Sequence, residues 1–250
     1  MRSLYTLGLI LISSTLSLAQ NELTNLESGG ITESGKEGKI LFGIHCATCH
    51  GTEGAGLVGV APSIRNLDFL ALASDSFISQ TISKGRPGTA MVARPDLTEE
   101  QISSIIAYLR SLPEVHPTRI TVDDSLKFSG DEENGNQLFT QFCSACHGPY
   151  GEGYMLGLPG TGIGLPGFLE VASDDYIYQT LKRGRLGTPM QPFLGAKGLA
   201  NLSDKEAHDI ITYMRNLGET YDDRMASAPV GPGNSKAGEV HFNINCAACH

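Results

Sequence analysis

Two stretches carry apolar residues at helical spacing. Ile102, Ile105, Ile106 and Leu109 make one stripe, and Ala207, Ile210, Ile211 and Met214 make the other. Each stretch opens on a capping box, Thr98-Glu99-Glu100-Gln101 and Ser203-Asp204-Lys205-Glu206. Tyr108 and Tyr213 hold the same place in the two predicted helices and are expected to pack on a phenylalanine of an earlier helix. Those earlier helices carry a glycine and, four residues on, a phenylalanine: Gly38/Phe42, Gly135/Phe139 and Gly238/Phe242. The phenylalanines face the core, and each helix closes at a cysteine, Cys46, Cys143 or Cys246. A further short helix fits Ser74–Ser83 and, in the next segment, Ser173–Lys182. No βαβ pattern is found.

The segments between these elements set the domain limits. Arg2, the apolar run Leu4–Leu16 and the small residues Ser17-Leu18-Ala19 read as a signal peptide over 1–19, cut after Ala19, with an uncleaved anchor as the alternative. No later stretch is apolar enough to cross a bilayer, so the mature chain is expected to be periplasmic or secreted and not an integral membrane protein. Residues 20–32 form a polar lead-in. Domains are expected at 33–113 and 128–218, with the start of a third at 236–250. The linkers 114–127 and 219–235, rich in Pro, Asp and Gly, read as flexible.

Charge narrows the partners. The formal net charge is −9 over 250 residues, which argues against nucleic acid and favours partners with basic docking surfaces. Thirty glycines and no tryptophan suit a loop-rich domain whose core is completed by an apolar cofactor.

The cysteines say which cofactor. All six lie in Cys46-Ala47-Thr48-Cys49-His50, Cys143-Ser144-Ala145-Cys146-His147 and Cys246-Ala247-Ala248-Cys249-His250. Cys-x-x-Cys-His attaches c-type haem: two thiols bind the vinyl groups, and His50, His147 or His250 faces the iron. A four-cysteine zinc site needs two pairs close together, and zinc does not require a histidine after every pair. A redox dithiol usually accompanies a βαβ pattern. Pro62 and Pro159 each stand 12 residues past the histidine, and a loop carbonyl beside them is expected to accept the free imidazole N–H. Met91 and Met190 end the strings Gly85-Arg86-Pro87-Gly88-Thr89-Ala90-Met91 and Gly184-Arg185-Leu186-Gly187-Thr188-Pro189-Met190, 41 and 43 residues past their histidines. A thioether on such a loop is a soft ligand for haem iron. Met155, Met214 and Met225 are read as core filler. Of the cations before the loops, Lys84, Arg86, Lys182, Arg183 and Arg185, the matched arginines are the candidates for neutralising propionates or presenting a basic rim.

Motif, proline, Gly-Thr-x-Met loop and closing helix occur in that order in 33–113 and again in 128–218, and each segment resembles a class I c-type cytochrome domain. The resemblance implies an all-α fold, two tandem domains plus the start of a third, with N- and C-terminal helices interlocked. It implies the axial pairs His50/Met91 and His147/Met190, and redox proteins as donor and acceptor. Six-coordinate iron leaves no site for oxygen or peroxide, so the expected activity is outer-sphere one-electron transfer by an exported multihaem cytochrome.

The third repeat stops at His250, before any proline loop, methionine loop or closing helix. Three readings stand: a part of a longer chain, a haem completed by another subunit or domain, or an unoccupied motif. In the second reading His45, His116, His208, His241 or Met225 supplies a ligand. An open third haem would make the protein a peroxidase-like enzyme or an oxidoreductase of small inorganic substrates. A neighbour capping the terminal motif would make it a polymer, and membership of a larger complex is compatible with electron transfer.

Overall fold

A computed structural model describes residues 32–113, 117–227 and 234–245. Residues 1–19, expected as a signal peptide, and the third Cys-x-x-Cys-His motif, Cys246 to His250, lie outside the described residues. The chain divides into two units, residues 1–218 and 219–250.

The first unit holds two copies of one helical plan. In the first, α1 (Glu33–His45) starts where the Thr32 hydroxyl accepts the Gly35 amide, and it ends at Cys46. A single turn, α2 (Ala47–His50), carries the rest of the motif. After the loop come α3 (Leu67–Leu72), α4 (Asp75–Lys84) and the closing helix α5 (Glu99–Ser111). The second copy runs α6 (Glu132–Phe142), α7 (Ser144–His147), α8 (Pro166–Leu169), α9 (Asp174–Arg183) and α10 (Asp204–Glu219). Among the described residues there are no strands, only two isolated bridges, Leu57–Ala61 and Leu194–Leu202. The all-α expectation holds.

The expected helix starts are present. Ser74 and Ser173 cap α4 and α9, accepting the amides of Phe77 and Tyr176. Thr98 and Gln101 exchange both bonds of the capping box at α5. Ser203 and Glu206 do the same at α10, where the Ser203 amide donates to the Glu206 carboxylate and the Ser203 hydroxyl accepts the Glu206 amide. Both apolar stripes are buried, Ile105 at 1% and Ile211 at 0% exposure.

Within each copy the closing helix crosses the motif helix at the glycine. A Cβ on Gly38 would lie 1.8 Å from the Ser104 carbonyl oxygen, and one on Gly135 would lie 2.0 Å from that of Asp209. Only glycine permits this approach. One turn along, Phe42 meets Tyr108 with ring centroids 5.5 Å apart, and Phe139 meets Tyr213 at 5.4 Å. Burying each phenylalanine contributes about 2–3 kcal/mol, so one crossing fixes both ends of the domain.

Two arginines that the periodicity does not single out lock the other end of each closing helix. Arg110 donates to the Leu70 and Ala73 carbonyls and to Asp75. Arg215 donates to the Leu169 and Ala172 carbonyls and to the buried Asp174. Each guanidinium thereby satisfies backbone acceptors left over at the α3–α4 and α8–α9 corners.

The linker differs from expectation. From residue 117 it is docked rather than free: Ile120 donates its amide to the Ala71 carbonyl, Arg119 pairs with Asp75, and the Asp123 amide donates to the Asp175 carboxylate. Ile120 and Val122 pack on the core, and this apolar contact outweighs the local Pro/Asp signal for flexibility.

Among its described residues the second unit holds α11 (Tyr221–Ser227) and α12 (Ser235–Asn245). Among the described residues nothing covers the glycine–phenylalanine face of α12: Gly238 has open space where its Cβ would be, and Phe242 is 49% exposed.

Candidate haem sites

His50 and His147 end their one-turn helices and lie against a loop. His50 Nδ1 is 3.1 Å from the Pro62 carbonyl oxygen, and His147 Nδ1 is 2.8 Å from that of Thr161. A carbonyl can only accept, so each imidazole carries its proton on Nδ1 and presents a bare Nε2. Burial pushes both imidazoles below the ordinary histidine value because it disfavours the cation, against the opposite pull of the carbonyl. Both rings are therefore held neutral in one tautomer, as a metal ligand requires.

The proline expectation holds for Pro62 and fails for Pro159. The second loop is two residues longer, with a short turn at Gly153–Leu156, so the acceptor moves to Thr161. The equal proline count is a coincidence of numbering. The same insertion accounts for the two-residue difference in methionine spacing.

The methionine loops are near-identical closed turns. Arg86 donates its amide to the Met91 carbonyl at 2.7 Å, and Arg185 to that of Met190 at 2.6 Å. The Thr89 hydroxyl donates to the Arg86 carbonyl at 2.8 Å and accepts the Met91 amide at 3.1 Å, and Thr188 makes the same two bonds at the same distances. Gly88 and Gly187, at φ 83° and 76°, supply the left-handed corner of the turn. The threonine in Gly-Thr-x-Met is thus the brace that fixes the methionine backbone. Met91 and Met190 are both half-buried.

The four described cysteines are free. Burial pushes the Cys46 thiol up to about 11 and the Cys143 thiol up to about 12. A redox dithiol or a thiolate zinc site works by the opposite shift, which Cys46 and Cys143 do not show. Among the described residues no group of three or more His, Cys, Asp or Glu could hold a metal ion.

Arg86 and Arg185 stand where the two domains meet. Arg86 lies over Phe77 of its own domain and Phe168 of the other, and donates to the Gly167 carbonyl. Arg185 lies over Tyr176 of its own domain and Phe69 of the other, and donates to the Tyr176 hydroxyl at 2.9 Å. Among the described residues no carboxylate pairs with either. Burial lowers the Arg86 pKa, and Arg185 Nη1 is buried without a partner. The orphaned Arg185 guanidinium nitrogen beside the second methionine loop fits an acidic cofactor edge. Lys84 instead pairs with Glu170, and Lys182 lies over the Tyr178 ring.

Other sequence candidates fall elsewhere. Met214 is core at 2% exposure, but Met155 is half exposed at 50%, because it rides on the inserted turn. His45 contacts Arg94, and His208 stacks on Phe128 at 4.1 Å, so both are engaged within the first unit. His116 and the side chains of His241 and Met225 lie outside the described residues.

Two domains, each with a neutral imidazole after Cys-x-x-Cys and a braced methionine loop, define tandem cytochrome c domains, for which haem c is the implied cofactor. The chain belongs to the family of cytochrome c oxidase, cbb3-type, subunit III, whose profile matches residues 33–109 and 130–214. It is 28% identical over 220 residues to the cbb3-type cytochrome c oxidase subunit FixP of Azorhizobium caulinodans, covering 82% of this chain and 68% of that protein. Against FixP of Bradyrhizobium diazoefficiens it is 32% identical, over 60% of this chain and 52% of the relative, so the chain spans about half the length of that protein. Cytochrome c4 of Thiocapsa roseopersicina is 27% identical over 70% of this chain and 88% of its own length. A solved chain of the Kuenenia stuttgartiensis reducing HAO-like protein complex matches with 27% identity and a TM-score of 0.50, over 76% of this chain and 98% of its own.

Proposed function

We propose that this chain is an exported multihaem c-type cytochrome that passes single electrons between redox proteins in an extracytoplasmic chain. The observation that carries the reading is the repeated scaffold: an imidazole whose Nδ1 is spent on a loop carbonyl, and a methionine on a threonine-braced turn, in both domains. Haem c, when bound, supplies the Fe(III)/Fe(II) couple.

The chain's own residues do the rest. Cys46 and Cys49 hold one macrocycle, Cys143 and Cys146 the other. His50 and His147 would hold the iron through Nε2, and Met91 and Met190 would supply thioethers that raise the reduction potential. A haem held by both residues would supply one-electron transfer without a bound substrate. Arg86 and Arg185 offer positive charge to the propionates at the domain boundary. Cys246, Cys249 and His250 are read as a third attachment site at the end of α12. The bare Gly238/Phe242 face supports a third domain there, because both complete domains cover this face with a closing helix.

Likeness to an oxidase subunit and to a chain of a larger redox complex supports a place as an electron-transfer subunit. No helix among the described residues is long and apolar enough to cross a membrane.

Intact mass and haem extraction on the mature protein count the haems. Met91→Ala and Met190→Ala each remove a share of the weak near-infrared band of thioether-ligated ferric haem and lower one potential. If neither spectrum nor potential changes, the reading is wrong.

A further inference from the structure

The methionine loops return to the core by the same backbone bond but through different side chains. Three residues past each methionine, Arg94 donates its amide to the Ile82 carbonyl, and Phe193 donates its amide to the Leu181 carbonyl. In the second domain Phe193 is 5% exposed in the core, and Phe142, the residue before Cys143, packs against the same core. The first domain places polar groups at both positions: Arg94 and, before Cys46, His45.

These two are bonded. Arg94 Nη2 lies 2.5 Å from His45 Nδ1, and Nη1 lies 3.4 Å from the His45 carbonyl oxygen. Asp96 holds the guanidinium from the other side, with Nε at 2.9 Å and Nη2 at 2.6 Å. The guanidinium has no acceptor, so His45 Nδ1 must be the acceptor in this contact and the ring must be neutral. A protonated His45 would lose the bond and set two cations against each other.

We propose that Arg94 is a positioning residue for Met91, strapping the methionine loop of the first domain to the haem-attachment segment through His45, with a grip that exists only while His45 is neutral. The second domain places Phe142 and Phe193, which do not titrate, at the equivalent positions against its core. The charged or titratable groups facing His45 are Arg94 and Asp96 from the loop and Cys46 beside it in the chain, which becomes a thioether on haem attachment. The first haem is therefore the acid-sensitive one of the pair.

This inference rests on Met91 being an axial ligand, and the experiment separates the two. The haem-loaded chain carrying Met190→Ala leaves one methionine-ligated site, read by its near-infrared thioether band between pH 8 and pH 5, the interval in which imidazoles gain a proton. The band is expected to weaken about twofold or more on acidification. Arg94→Ala weakens it already at pH 8, and Arg94→Lys, which keeps charge but not the fork, gives an intermediate band. His45→Phe with Arg94→Phe, the second domain's pair, restores the band and removes its pH dependence. Adding Met91→Ala must abolish the band, and if it survives, the ligand reading fails. If Met91→Ala abolishes it but Arg94→Ala and Arg94→Lys leave it unchanged at pH 8, or the double phenylalanine variant keeps the parent's pH profile, the strap is refuted.

Discussion

Phe77 and Tyr176 stack at 4.5 Å between ring centroids, with planes 21° apart, and they are the same residue of the repeat: each is the third residue after the serine that caps its helix. A position that meets its own counterpart marks a local two-fold axis. Around it the arginines cross over, Arg86 onto Phe168 and Arg185 onto Phe69. Asn66 and Asp68 bind the backbone of Leu186. The two domains of the first unit therefore share one continuous core.

Removing the stack should loosen the pair. Phe77 is 7% and Tyr176 4% exposed, so Phe77→Ala is expected to cost about 3 kcal/mol. Denaturant unfolding should then separate into two transitions. Tyr176→Phe keeps the ring, frees Arg185 Nη2, and should cost about 1 kcal/mol. A single unchanged transition in Phe77→Ala would mean that the interface contributes nothing.

The glycine crossings give a graded test. Ala for Gly in a helix normally gains up to about 1 kcal/mol. At Gly38 and Gly135 the new Cβ meets a carbonyl oxygen at 1.8 and 2.0 Å, so Gly38→Ala and Gly135→Ala should each push the closing helix away and lose several kcal/mol, on the order of 3. Gly43, in the same helix as Gly38, faces open space, and Gly43→Ala should be neutral or stabilising. Thermal unfolding of the three variants checks the order.

Asp209 has 0% side-chain exposure and accepts the Asp131 amide, the Asn134 side-chain amide and Lys205. Burial pulls its pKa up, but these donors together bring it below the usual aspartate value. A lowered folded pKa stabilises above the unfolded value, near about 4, and that stability is lost as pH falls through the folded value. Asp209→Asn should cost roughly 2–3 kcal/mol at neutral pH and flatten the acid limb of the stability curve below about pH 4. An unchanged acid limb would remove Asp209 from the account.

The two arginine clamps should differ in cost. Arg215→Ala strands Asp174, whose side chain is 2% exposed, and should lose about 3–5 kcal/mol. Asp75 is 62% exposed, so Arg110→Ala loses mainly its bonds to the Leu70 and Ala73 carbonyls, about 1–2 kcal/mol. Comparable losses at both sites would contradict the burial argument.

The sequence by itself determined each element whose signal is local. The capping boxes, the apolar stripes and, in the first two repeats, the Gly/Phe pairs and the Cys-x-x-Cys-His and Gly-Thr-x-Met strings are set by residues within a few turns of one another, and they stand where periodicity and spacing put them. Tertiary structure decided what depends on distant partners. The imidazole acceptor moved from the neighbourhood of Pro159 to Thr161, because a loop counts residues in space and not along the chain. Met155 left the core with the inserted turn. The linker beyond residue 117 docked because Ile120 and Val122 found the core. Arg110 and Arg215 became clamps through carbonyls about forty residues away. The Phe77–Tyr176 axis and the His45–Arg94 strap have no local signal, since each joins groups that only the folded chain brings within reach.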